Sequence, residues 1–126
     1  MPTVKLHTYF RSSASFRVRI ALALKQMDYS AEFVNLKAGE QKNEFARKNP
    51  QGLVPLLEDG DFALGQSLAI VEYLDEICPD PRLLPEAPKA KAVVRSMAQL
   101  IACDIHLTCP PRSGPFWELG FWLFTA

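Results

Sequence analysis

Short alternating segments near the N-terminus give way to apolar residues at helical spacing further along the chain. The β-forming run Val4–Phe10 predicts a first strand, and Tyr29–Leu36 predicts a second. Between them, apolar residues four positions apart predict a helix that begins near the serine-rich stretch Ser12–Ser15. These apolar positions are Phe16, Ile20 and Leu24.

Beyond the second strand, the pattern predicts a polar segment, a hairpin and another helix. Residues 37–49 hold at most a short helix. The turn Glu58–Asp61 joins two short predicted strands, Leu53–Leu57 and Phe62–Leu64. An amphipathic helix is predicted over Ser67–Ile77. We expect its inward face to be Ile70, Val71, Leu74 and Ile77, and its water-facing residues to be Glu72, Asp75 and Glu76.

Four prolines within residues 78–88 predict a linker, and a longer helix follows over residues 89–106. The order β-α-β-α-β-β-α, then linker and helix, is typical of a thioredoxin-like α/β domain with helical sequence appended. We therefore predict a domain at residues 1–80, a linker at 81–88, one helix at 89–106 and an atypical aromatic tail at 107–126. The apolar face of the last helix is Val93, Met97, Leu100, Ile101 and Ile105.

Composition narrows the class of protein. The 14 acidic and 14 basic residues cancel, whereas nucleic-acid-binding proteins usually carry a basic excess. Three cysteines without a CxxC pair, behind an N-terminus that does not resemble a signal peptide, indicate reduced thiols in a cytoplasmic protein. The sequence shows neither metal-ligand spacing nor an apolar run as long as a membrane span. We expect a soluble protein without nucleic-acid or membrane partners.

Three segments carry groups that suit one anionic, peptide-like ligand. Ser12 begins a helix, where the dipole favours an anion and a hydroxyl can donate to a docked thiolate. A cis bond between Val54 and Pro55 would leave the Val54 backbone able to pair with an extended peptide. Gln66 and Ser67, at another helix start, suit a carboxylate. Each segment also has a plainer interpretation: the serines are helix caps, and the proline is an ordinary trans residue on an edge strand.

The order and spacing of these segments resemble the zeta-class glutathione transferases, the maleylacetoacetate or maleylpyruvate isomerase type. The resemblance rests on Ser12-Ser13-x-Ser15-x-Arg17-Val18-Arg19-Ile20-Ala21-Leu22, Asn49-Pro50-x-Gly52-x-Val54-Pro55 and Gln66-Ser67-x-Ala69-Ile70-x-Glu72-Tyr73-Leu74. Arg82-Leu83-Leu84-Pro85 and Leu100–His106 fit as well, so it runs from about Lys5 to His106. It implies an α/β, thioredoxin-like glutathione transferase N-terminal domain, followed by the first helix of an all-α C-terminal domain.

The resemblance implies glutathione as the cofactor, lying across this domain. Ser12 matches the family's catalytic serine, which stabilises the glutathione thiolate, and Ser13 completes that part of the site. Weaker candidates are Gln41 for the glycyl end and His106 near the ligand. Arg11 and Arg17 are weak candidates for the carboxylates of a small dicarboxylate substrate.

The rest of the implied site binds the other parts of glutathione. Gln66 and Ser67 hold the γ-glutamyl carboxylate, and Val54, followed by Pro55, pairs with the cysteinyl backbone. The family reaction is cis–trans isomerisation of a maleyl group, in which glutathione acts as a borrowed nucleophile and is regenerated. Two alternatives stay open: a general glutathione-conjugating transferase, and a non-catalytic glutathione-binding or interaction module.

Two features depart from the family pattern. The third motif position is usually cysteine, and Ala14 cannot form a mixed disulfide there, so we expect no glutaredoxin-like or omega-type redox chemistry. Paired prolines after His106 end the helix, and the aromatic residues 107–126 do not resemble the family. We expect a frameshift or premature end in the source gene. The alternative is an interfacial membrane anchor that lacks a basic face, built on Phe116, Trp117, Phe121 and Trp122.

The apolar face of the last helix also bears on assembly. In the family, a second helical domain covers this face. We therefore expect a homo-oligomer, in which another copy or segment contacts these side chains.

Overall fold

A mixed four-stranded sheet organises the N-terminal part of the chain. The computed structural model describes residues 3–35 and 44–105. In chain order the elements are β1 (Val4–Thr8), α1 (Ser13–Leu24), β2 (Tyr29–Phe33), α2 (Glu44–Lys48), β3 (Leu56–Asp59), β4 (Phe62–Gly65), α3 (Ser67–Ile77) and α4 (Pro88–Gln99). A π-helical segment, Leu100–Ile105, follows α4. The predicted element order is confirmed, and the thioredoxin-like class agrees with the mixed sheet and helices.

The strands lie in the order β2-β1-β3-β4. β1 and β2 are parallel, because α1 connects them as a crossover, and both β3 pairings are antiparallel. Only Gly60 and Asp61 separate β3 from β4, and Gly60 has φ of +59°, which suits the tight hairpin turn predicted there. The first two strands end earlier than predicted, at Thr8 and Phe33.

The core follows from the period-two alternation of β1 and β3. Val4, Leu6 and Leu57 point to one face of the sheet, where they pack with apolar residues of α1 and α3. These helix residues are Val18, Ala21, Leu22, Ile70 and Leu74. A smaller cluster contains Phe45 of α2, with Val34, Val54 and Leu56. Because α1 and α3 pack on the same face of the sheet, their N-termini are held by one scaffold.

The predicted faces of α1 and α3 need three corrections. Phe16, Ile20 and Leu24, whose spacing predicted α1, are exposed. The buried residues of α1 are instead Ser15, Val18, Ala21 and Leu22. Asp75 of α3 was expected to face water, but it is 8% exposed because it pairs with the buried Lys25. Ile77, expected to point inward, is exposed at the end of α3.

The chain divides into two compact units between Leu84 and Pro85. In the second unit, α4 starts at Pro88, which occupies the first helical turn, where a missing N–H costs nothing. The π-helical turn replaces the regular helix predicted to continue beyond Gln99. Val93, Met97, Leu100 and Ile101 are exposed. Residue 106 and the predicted tail lie outside the described residues.

Candidate functional site

Ser12 is the N-cap of α1. It has extended backbone angles (φ −79°, ψ 113°), and its Oγ accepts a hydrogen bond from the N–H of Ser15 at 3.1 Å. The capping interpretation is therefore correct, and it does not compete with a ligand role. A hydroxyl that accepts one backbone bond keeps its own proton to donate, and no acceptor for that proton is present among residues 3–35 and 44–105.

Val54 lies directly before β3 and is followed by a cis peptide bond to Pro55, as predicted. Its side chain is buried in the smaller apolar cluster. Within the part of the chain that the structure describes, the Val54 backbone makes no hydrogen bond. Its N–H and C=O can therefore pair with an added extended segment in the manner of a sheet edge.

The loop that leads to Val54 is held by Asn49. The Asn49 Nδ2 donates to the carbonyl oxygen of Leu53 at 2.6 Å, and its Oδ1 accepts from the N–H of Gln51 at 3.2 Å. The backbone carbonyl oxygen of Asn49 accepts a third hydrogen bond, from the N–H of Gly52. Gly52 has φ of +62°, a conformation that glycine adopts readily. This buried amide fixes the approach to the unpaired Val54 backbone.

The start of α3 differs from the start of α1. Gln66 occupies the N-cap with φ of +69° and ψ of 113°, and its side chain does not cap the helix. That amide instead donates from Nε2 to Oε1 of Gln51 at 2.9 Å. A non-glycine residue in this region is strained, and such strain is found preferentially at ligand sites. Because the N-cap residue makes no side-chain hydrogen bond to the first N–H groups of α3, those donors suit an anion.

Ser67 is the first residue inside α3 rather than its cap, so the plain capping interpretation of this serine is wrong. Its Oγ accepts a hydrogen bond from Nη1 of Arg17 at 2.8 Å. Arg17 is half-buried on α1, and this bond crosses fifty residues of sequence. The contact joins the two helices whose starts carry the predicted serines.

The remaining predicted site residues are either exposed or outside the described residues. Ser13, the first residue of α1, is exposed, and Arg11 is exposed with its guanidinium 5.5 Å from the ring centre of Phe10. Gln41 and His106 lie outside the described residues. None of the described helices is long and apolar enough to cross a membrane. In the described ranges, no three or more His, Cys, Asp or Glu side chains are arranged to hold a metal ion.

Four features near the candidate site were missed from the sequence. Asn49 and Gln51 lie inside the second motif, but only their proximity to Val54 in that motif hinted at a role. The Arg17–Ser67 contact had no local signal, because the partners are distant in sequence. Ser15 is also fully buried, and its Oγ has no hydrogen-bond partner among the described residues.

Comparison with known proteins agrees with this geometry. Residues 2–76 match the model of the glutathione S-transferase N-terminal domain family. The chain is 50% identical over 109 residues to a probable maleylacetoacetate isomerase from Vibrio cholerae, covering 84% of this chain and 51% of that protein. It therefore spans about half the length of the relatives that it matches.

Two solved structures share the fold. A bacterial maleyl pyruvate isomerase of the zeta class superposes with a TM-score of 0.80 at 39% identity, covering 97% of this chain and 57% of that one. The maleylacetoacetate isomerase of Methylobacterium extorquens, solved with malonate and GSH, gives a TM-score of 0.77 at 47% identity, covering 94% and 56%. The chain belongs to the glutathione S-transferase N-terminal domain family, and the predicted resemblance to its zeta class is confirmed.

Proposed function

We propose that this chain supplies the glutathione site of a glutathione-dependent cis–trans isomerase of maleylacetoacetate-type substrates. The observation that carries the proposal is the Ser12 hydroxyl, which caps α1 through its lone pair and keeps its proton to donate at the helix N-terminus. The similarity to proteins named maleylacetoacetate isomerase, at about half of the aligned residues, supports the substrate class.

The groups on the chain fit the parts of glutathione. The uncapped start of α3, with Gln66 and Ser67, offers donors to the γ-glutamyl carboxylate. The unpaired backbone of Val54, ahead of Pro55, suits the cysteinyl N–H and C=O. Ser12, with Ser13 at the first position of α1, lies where a thiolate is favoured. The bound GSH in two maleylacetoacetate isomerase structures is consistent with this assignment.

Glutathione, when bound, supplies a sulfur that adds to the cis double bond, so that this bond becomes single, turns, and is restored as trans when the sulfur leaves. Ser12 favours the ionised sulfur, because a hydrogen bond to the charged form stabilises it. The positive end of the α1 dipole acts in the same direction. The cap holds the Ser12 hydroxyl at the helix start in advance, so this group does not have to be repositioned during turnover.

Ala14 restricts the chemistry of the same helix start. Its methyl side chain provides no thiol beside Ser12, so the chain cannot form a mixed disulfide with glutathione at this position. Isomerisation needs only the sulfur of glutathione and is compatible with this change. We therefore assign the site to reversible addition rather than to thiol–disulfide exchange.

A small dicarboxylate is the proposed substrate type. Malonate, a small dicarboxylate, is present in the Methylobacterium structure together with GSH. Arg11 is exposed next to the cap of α1 and is available to attract such an anion. A general glutathione-conjugating transferase is the second candidate, because the family that matches is named for that activity.

We further propose that the protein is a cytoplasmic homo-oligomer. Cys78 and Cys103 are free thiols, which agrees with a reducing compartment. The exposed apolar residues of the second unit favour a contact with another copy. Light scattering at micromolar concentration tests the assembly: a dimer or larger species supports the proposal, and a clean monomer contradicts it.

The isomerase proposal is tested by turnover. Proton NMR follows maleylpyruvate with a catalytic amount of glutathione, for the unmodified chain, Ser12→Ala and the exposed strand variant Ser30→Ala. We expect trans product from the unmodified chain and Ser30→Ala, and almost none from Ser12→Ala although it still binds glutathione. Equal turnover in Ser12→Ala would show that the assigned role is wrong. Glutathione binding without any turnover would favour a non-catalytic module.

A further inference from the structure

Arg17 extends from α1 to the start of α3, where its Nη1 donates to the Oγ of Ser67 at 2.8 Å. We infer that Arg17 is a positioning residue for the γ-glutamyl carboxylate and acts through Ser67, rather than a ligand of the second substrate. The inference rests on the proposed glutathione site. It assigns to Arg17 the selection of glutathione over ligands that lack this carboxylate.

The Ser67 hydroxyl has one proton to donate, and its contact with Arg17 decides where that proton points. Ser67 is 7% exposed, so its Oγ has a restricted set of orientations. An oxygen that accepts from Arg17 directs its single proton away from that guanidinium. The Ser67 O–H is thereby oriented to donate, and a carboxylate, which only accepts, is the complementary ligand.

The charge of Arg17 also favours an anion at the start of α3. Among the side chains that the structure describes, no Asp or Glu carboxylate lies within ion-pair distance of the half-buried Arg17. A partly desolvated guanidinium without an acidic partner gains most from an anionic ligand. The uncapped α3 start, next to Ser67, adds the positive end of a helix dipole. Both positive contributions act at the same helix start.

The position of Arg17 on α1 distinguishes this role from the substrate-binding role predicted from the sequence. As a substrate ligand, Arg17 would need its donors directed to an external carboxylate near the sulfur. Five residues along α1 separate it from Ser12, which is about 7.5 Å of helix rise, and Nη1 is committed to Ser67 instead. The side chain therefore serves the carboxylate end of glutathione, not the reacting end.

Calorimetry on the full chain tests the inference with two ligands. One is glutathione, and the other is 4-aminobutyryl-cysteinylglycine, which keeps the ammonium, thiol and glycyl groups but lacks the α-carboxylate. The variants are Arg17→Met, Arg17→Lys, Ser67→Ala and the double variant Arg17→Met with Ser67→Ala. Arg19→Met is the matched control, since Arg19 lies on the same helix and stacks on Phe16 at 5.4 Å.

We expect Arg17→Met to weaken glutathione binding about tenfold or more, with Arg17→Lys intermediate. The double variant should bind glutathione only slightly less tightly than the single variant with the lower affinity, because Arg17 and Ser67 act on the same carboxylate. For the analogue, Arg17→Met should change the affinity by less than about twofold. At saturating glutathione the turnover number should be nearly unchanged, since the carboxylate end is remote from the reaction.

Other results overturn the inference. Equal losses for both ligands would mean a structural role of Arg17, and unchanged glutathione affinity with a raised KM for the maleyl substrate would restore the substrate role. Independent, multiplicative effects of the two substitutions would show that Arg17 does not act through Ser67. Absence of glutathione binding by the folded, unmodified chain would remove the proposed function itself, and the inference with it.

Discussion

Lys25, the C-cap residue of α1, and Asp75 of α3 form a buried ion pair, with 2.5 Å between Nζ and Oδ1. Each group also bonds the segment that follows α3, so the charges of the pair are fully compensated. The Lys25 Nζ donates to the carbonyl oxygens of Cys78 and Pro81. The Asp75 carboxylate accepts from the N–H groups of Leu83 and Leu84. The pair therefore ties residues 78–84 to the sheet domain.

Removing either member of this pair should strongly destabilise the fold. Lys25→Met leaves a buried carboxylate without its cation, and Asp75→Asn leaves a buried ammonium, so each variant should lose about 3–5 kcal/mol in the free energy of unfolding. Urea unfolding measures the loss. Lys5→Met is the control: its pair with Glu32 is exposed and should contribute about 0–1 kcal/mol. Comparable losses in all three variants would contradict the assignment.

The same pair predicts an acid-sensitive stability. Burial by itself raises the pKa of Asp75, but the hydrogen bonds from Lys25 and two backbone N–H groups outweigh it and hold the pKa below the ordinary 3.8. The unfolded chain thus takes up this proton at higher pH than the native one. The contribution of Asp75 is complete above pH 3.8 and is lost as the pH falls through the lower native pKa.

The pH experiment compares the unmodified chain with Asp75→Asn. Glu58 contributes in the same direction: burial raises its pKa, but hydrogen bonds from His7 and Lys48 hold it below 4.5. The stability of both proteins should fall on acidification, and the fall should be smaller in Asp75→Asn. Urea midpoints measured across the acid range give the slopes. If stability falls equally with pH in the two proteins, Asp75 has the same pKa in the folded and unfolded states, which contradicts the prediction.

Asn49 should matter for ligand affinity because it holds the loop before Val54. Asn49→Ala removes its bonds to the Leu53 carbonyl and the Gln51 N–H and leaves that part-buried carbonyl oxygen without this partner. We expect a loss of about 1–3 kcal/mol in stability and a weaker glutathione affinity. Thermal melting and calorimetry measure the two. Full glutathione affinity in a destabilised variant would show that the loop does not position Val54.

Ser12→Asp separates capping from catalysis. Aspartate caps helices as well as serine does, so stability should stay within about 0.5 kcal/mol. An ionised carboxylate cannot donate a proton to sulfur and repels a thiolate, so turnover should fall about a hundredfold or more. The thiolate absorbance of bound glutathione, measured as a function of pH, tests whether the loss of turnover comes from weaker ionisation of the sulfur. A sulfur that ionises as readily as in the unmodified chain would contradict the role of Ser12.

The sequence predicted the elements of this fold better than their faces. Alternation in β1 and the Asp-Gly turn are local signals, and the structure keeps both. The faces of α1 and α3 depend on contacts between helices, which periodicity does not report. Asp75 is the clearest case, because its burial makes sense only with Lys25, fifty residues earlier in the chain.

The candidate site shows the same division. The cis bond at Val54–Pro55 and the cap at Ser12 were predicted, since each has a signal within a few residues. The strained Gln66 and the bond between Arg17 and Ser67 had none, because they arise where two helix starts meet. The predicted domain boundaries, Gln41 and His106 stay predictions.

We propose above all that the starts of α1 and α3 and the backbone of Val54 hold a single glutathione molecule. Isothermal titration calorimetry of glutathione into the folded 126-residue chain tests it most directly, at two temperatures so that a vanishing enthalpy cannot hide binding. We predict saturable binding with one site per chain. No binding heat at either temperature, from protein shown to be folded by circular dichroism, would contradict the claim.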